Sequence, residues 1–130
     1  MLTIAEMGDV VRRVFADSPE FRPFAWFDRD LGRIEVVIKP CSILETPVNE
    51  VFMVFENNHP KDGEDKYVGF ALEGARAFCV QRGLPTKDLR LTTLLADVAK
   101  AFPALEDLVN REMFPLLGKA GLETATVSLP

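Results

Sequence analysis

The sequence is poor in the residues that most often carry chemistry. In 130 residues it has one His, two Cys, one Tyr and one Trp. Transition-metal centres draw on clusters of His and Cys, so His59 alone would need carboxylates or a distant thiol to complete a site. Cys41 and Cys79 stand outside any CxxC spacing, and zinc-ribbon and thioredoxin-type readings fail. Basic runs are scarce too: Arg12-Arg13 is the only adjacent pair, and the net charge is -5. Such a chain repels phosphate backbones and anionic lipid, which argues against nucleic-acid binding and against docking on a membrane. No stretch approaches the roughly 20 apolar residues of a membrane span. The opening "MLTIAEMGDVVRRVF" lacks the basic segment and apolar run of a secretory signal. GxGxxG, HExxH and GxSxG are all missing, as are internal repeats and low-complexity tracts. The expectation is a cytoplasmic protein with reduced thiols and no cofactor.

What is there is an ordinary globular balance, 48% apolar and 27% charged, far from the disordered regime. The length suits one domain over 1–130, which buries roughly two-thirds of its unfolded surface and needs no disulfide to hold a core. Ten Phe stand against the single Tyr and Trp. Phe has no polar handle, so most of the ten should be core, with some left for a self-association surface.

Local patterns set out the elements. Thr3 and Glu6 form a capping box, and Met7, Val10, Val11 and Val14 then recur at helical spacing up to Ser18-Pro19. "FAWFDRDLGRIEVVIK" reads as a β-hairpin that turns over 28–32, with Gly32 free to take a positive φ. Ile34, Val36 and Ile38 share one face, and Glu35, Val37 and Lys39 the other, with Glu35 expected to meet solvent. "ETPVNEVFMVFENN" is ambiguous. Thr46-Pro47 makes a good N-cap and first-turn pair, which favours a helix over 48–55, although "VFMVF" suits a buried strand. "KYVGFAL" is a strand with Val68, Phe70 and Leu72 together. A short helix then ends at Gly83-Leu84, a longer one carries Leu91, Leu94, Leu95 and Val98, and a third runs from Pro103 to Gly121-Leu122, interrupted at Pro115. "ETATVSL" is a final strand. The order predicts an α+β fold: a small, mostly antiparallel sheet of four to five strands, with an N-terminal helix and a C-terminal group of helices on one face.

The stretch "ENNHPKDGED", 56–65, gathers the only His with Glu56, Asp62, Glu64 and Asp65. An EF-hand register set on Gly63 places Pro60 and Gly69 where oxygen ligands are needed, so that template fails. Looser carboxylate sites for a hard cation would compete with Lys61 and Lys66. A nucleophilic dyad would pair His59 with a Ser, with Cys41, which follows a strand, or with Cys79, which the apolar run "AFCV" marks as buried and inert. Gly69 and Gly74 have P-loop spacing, but Ala75 and Arg76 stand where Lys and Ser or Thr are required. Asn57-Asn58, Pro60 and Asp62-Gly63 are turn formers, so the stretch reads foremost as a solvated connector.

Two readings of function follow. The first is a non-enzymatic interaction domain, homodimeric or bound to another protein, using the aromatic hairpin around Phe24, Trp26 and Phe27 or a helix face. In size and charge the chain is comparable to small acidic α+β proteins that bind other proteins, such as secretion chaperones, without sharing a motif with them. The second is a small enzyme or ligand binder with a pocket near 56–65, where His59, Asp62 and Glu64 would be the polar groups and Cys41 a further candidate.

Overall fold

A computed structural model describes residues 21–61 and 63–130. The helix expected over 3–17 and the candidate Asp62 lie outside the described residues. Five antiparallel strands form the main sheet: β1 (Phe24–Asp28), β2 (Arg33–Val37), β3 (Ile43–Pro47), β4 (Phe52–Asn57) and β5 (Tyr67–Leu72). Their spatial order is β1-β2-β5-β4-β3, so β1 and β3 are its edges among the described residues. A helix α1 (Ala75–Arg82) follows, then β6 (Leu89–Arg90), α2 (Leu91–Ala101), a helical stretch α3 over 103–120, and β7 (Thr126–Val127), which pairs with β6.

The hairpin forms as its pattern predicts. Asp28 closes it: its Oδ1 accepts the N–H of Asp30 and of Leu31, and its carbonyl accepts the Gly32 N–H at 2.8 Å. Gly32 takes φ 65°, a conformation open to Gly without a Cβ penalty.

The helix expected over 48–55 is not there. Thr46 and Pro47 end β3, Asn49 Oδ1 caps a turn by accepting the N–H of Val51 and Phe52, and Phe52 begins β4. The β-branched and aromatic run outweighs the capping signal because β4 lies between β3 and β5 and pairs on both sides.

One sheet face carries Ile34, Val36, Phe52, Val54, Phe70 and Leu72, packed under the helices with Leu91, Leu94, Leu95, Val98 and Met113. Phe52 and Phe70 stack at 5.6 Å. The opposite face carries a smaller cluster of Val37, Phe55, Val68 and Ala71. Val68 was expected beside Phe70 and Leu72. A register shift at Phe55/Glu56, opposite Gly69, turns it to the other face. Gly69 is needed there for close approach, since a Cβ would lie 2.0 Å from the Val36 carbonyl oxygen.

The helix ends follow their signals. At Gly83 and at Gly121 the chain turns left-handed, and Leu84 and Leu122 donate back to the carbonyls of Cys79 and Leu117. Within α3, Val109–Met113 widens into a π turn, with the Phe114 N–H on the Val109 carbonyl. This is the interruption expected at Pro115, which has no N–H to give the turn before it. No described helix is long and apolar enough to cross a membrane.

Candidate functional site

Among the described residues the outer side of β1 pairs with no further strand, although β7 packs beside it. In the β2–β5 pairing the Ile38 N–H donates to the Val68 carbonyl, which places the even-numbered residues of β2 in bonding positions toward β5. The odd-numbered residues therefore bond β1, through their partners Phe24, Trp26 and Asp28. Ala25 and Phe27 direct their N–H and C=O groups outward. Among the described residues, no hydrogen bond reaches the outer side of either. The other edge, β3, ends on Pro47, which has no donor to offer.

A groove of about 590 Å³ lies beside β1 on the helical side of the sheet. Phe27, Leu129 and Pro130 provide its apolar wall, and Thr86 and Ser128 its hydroxyls. Two exposed cations, Arg29 and Lys87, also line it, and no Asp or Glu side chain does. Both cations sit on fixed backbone. Arg29 follows Asp28 in the turn held by the Asp28 carboxylate. The Lys87 segment is tied to the stretch 128–130 by the Leu129 N–H on the Thr86 carbonyl (2.7 Å) and the Asp88 N–H on Ser128 Oγ (2.9 Å). Asp88 holds φ 52° in this tie. Arg76 donates to the Pro130 carbonyl at the margin of the groove.

The three aromatic residues proposed for an interaction surface divide between the two faces. Phe27 packs against the helical core and lines the groove. Phe24 meets Phe21 edge-on at 6.1 Å on the opposite face. Trp26 lies opposite Glu35 in register, and its Nε1–H donates to Glu35 Oε2 at 2.8 Å.

Glu35 does not face solvent as its alternating position suggested; it is 0% exposed. Arg33 lies on the same strand face and binds it through Nε (2.7 Å) and Nη2 (2.6 Å). The same guanidinium reaches Glu45 at 2.6 Å and Glu73 at 3.0 Å, and lies 5.8 Å from the centre of the Phe55 ring. Burial by itself would lower the Arg33 pKa. The Glu35 charge, the hydrogen bond to Glu73 and the Glu45 charge outweigh it and hold the pKa above the ordinary arginine range. With its nitrogens engaged by carboxylates, Arg33 serves as a cross-strand tie, a poor grip for an outside anion.

Among its described residues, the stretch 56–65 does not gather its groups. His59 is exposed, and its Nε2 lies 3.4 Å from Asn58 Nδ2. Glu64 accepts the Lys61 N–H and pairs with Lys39, Asp65 pairs with Lys119 at 3.3 Å, and Glu56 lies 3.8 Å from Lys66. Each of these three carboxylates thus has its own lysine. Among the described residues, no three His, Cys, Asp or Glu side chains form a group able to hold a metal ion. A cleft of about 90 Å³ opens beside Asp65, Lys66 and Tyr67, against Arg111 and Lys119 of α3. It has room for only a few water molecules. Cys79 is buried, as its apolar surroundings predicted, and Cys41 is half-buried. Burial pushes both thiols up, against the nearby Lys39 in Cys41 and with help from Asp97 in Cys79. Neither thiol has the depressed pKa of an activated nucleophile.

The groove escaped sequence reasoning because three separated stretches build it. Only Phe27 was singled out, on its aromatic character. No family model, curated protein or solved structure matches this chain.

Proposed function

We propose that this protein is a non-enzymatic interaction domain that captures an extended polypeptide segment as a sixth strand along β1. The observation that carries this reading is the pairing of an open main-chain edge, at Ala25 and Phe27, with a groove directly beside it. Strand addition takes its affinity from main-chain hydrogen bonds and its specificity from pockets that receive alternate side chains. The groove has a volume in the range of small-ligand sites, and its wall mixes apolar and hydroxyl groups.

The test is a selection of random octapeptides on the immobilised protein, followed by backbone N-methylation of the best binder at each position in turn. Strand addition requires alternation: methylation at every second residue abolishes binding, and methylation at the residues between has little effect. Ala25→Pro removes an outward donor at an edge position where Pro is tolerated, and it should weaken binding by about tenfold, the value of one main-chain hydrogen bond. Peptides that bind Ala25→Pro as well as the wild type, or a methylation scan without alternation, would refute the reading.

A further inference from the structure

We infer that the segment received at β1 is acidic, with carboxylates placed on its helical-side positions. This rests on the strand-capture reading above and adds the chemistry of the partner. The chain as a whole is acidic, with twenty Asp and Glu against fifteen Lys and Arg. The groove differs from that balance: the charged side chains that line it are Arg29 and Lys87. A positive site on a negative molecule repels basic and attracts acidic segments, and so selects partners by sign as well as by shape.

The surrounding contacts leave these two cations to an outside partner. Five cations of the described residues are paired within the molecule: Arg33 with three glutamates, Arg82 with Asp97, Lys39 with Glu64, Lys66 with Glu56 and Lys119 with Asp65. No such ion pair involves Arg29 or Lys87 among the described residues. Their backbones are nevertheless fixed, by the Asp28 turn and by the Thr86–Leu129 and Asp88–Ser128 hydrogen bonds. Fixed backbones lower the ordering cost of binding. In an added strand every second side chain points to the helical side, so two such positions can set carboxylates against the cations while the apolar side chains meet Phe27 and Leu129.

Two synthetic octapeptides of alternating valine and threonine test this, one with glutamates at two central positions two residues apart, on one face of the strand, and the other with lysines in the same places. The glutamate peptide should bind the wild type at least about tenfold more tightly, with a preference that shrinks as salt is raised. The double variant Arg29→Glu/Lys87→Glu, altered only at exposed positions, should reverse the preference while circular dichroism stays unchanged. Equal binding of the two peptides, or tighter binding of the lysine peptide, overturns the acidic assignment and leaves strand capture standing, provided Ala25→Pro still weakens both. Failure of both peptides to bind, together with failure of the octapeptide selection, overturns strand capture itself. A concentration-dependent dimer in sedimentation, lost in Ala25→Pro, makes a second copy the occupant and likewise overturns the acidic assignment.

Discussion

The guanidinium of Arg33 and the carboxylate of Glu35, two residues apart on β2, meet on the sheet face away from the helices, with Nη2 2.6 Å from Oε1 and both side chains buried. A buried pair of this kind contributes little over an apolar replacement of both partners, but loss of one partner strands the other's charge. Arg33 also joins Glu45 of β3 and Glu73, just beyond β5, so it links distant parts of the sheet. Arg33→Met should therefore lower stability by about 3–5 kcal/mol in urea unfolding. Glu73→Gln removes a half-exposed partner and should cost no more than about 1 kcal/mol. Equal effects from the two substitutions would refute this ranking.

Gly69 sets how closely β5 approaches β2. A Cβ there would sit 2.0 Å from the Val36 carbonyl oxygen, a backbone atom that cannot move aside without disturbing the pairing. Gly69→Ala should cost about 3 kcal/mol or more, the upper range for overpacking. Gly118 has open space around its Cβ direction and no positive φ. Gly118→Ala, in a helix, should be neutral or stabilising by up to about 1 kcal/mol. Thermal unfolding of the two variants separates the cases.

The thiols predict a pH dependence at the alkaline end. Burial raises the pKa of Cys41 and Cys79 above the ordinary 9.0. A group whose folded pKa is raised contributes stability that is complete below its unfolded pKa and is lost as pH rises through the folded value. Stability should thus fall above pH 9, and Cys41→Ser/Cys79→Ala should flatten that fall. Alkylation near neutral pH should be slow at Cys41 and confined at Cys79 to unfolded molecules. Rapid labelling of either thiol in the folded protein at pH 7 would contradict this.

Much of the fold is legible in the sequence because its signals are local. The Asp28–Gly32 turn, the Gly83-Leu84 and Gly121-Leu122 helix ends and the break at Pro115 each rest on backbone chemistry within a few residues. The misread elements depend on distant partners. Thr46-Pro47 suits a helix start and a strand end equally, and only the pairing of β4 with β5 decides between them. Alternation placed Glu35 on the correct face, but the ties to its Arg33–Glu35 pair come from Trp26 on another strand and from Glu73 in the turn after β5. The bulge that turns Val68 away leaves no mark except Gly69. The groove is legible only in space, since Arg29, Lys87 and the stretch 128–130 meet through the packing of β1 beside β7.

The central claim concerns the outer side of β1, and amide hydrogen exchange reads it residue by residue. Saturation with the glutamate octapeptide should slow exchange at the Ala25 and Phe27 amides by about tenfold or more, as new main-chain hydrogen bonds form there. The Trp26 amide, directed toward β2, should change little. Binding that leaves the Ala25 and Phe27 amides as fast as in the free protein would contradict strand addition at this edge.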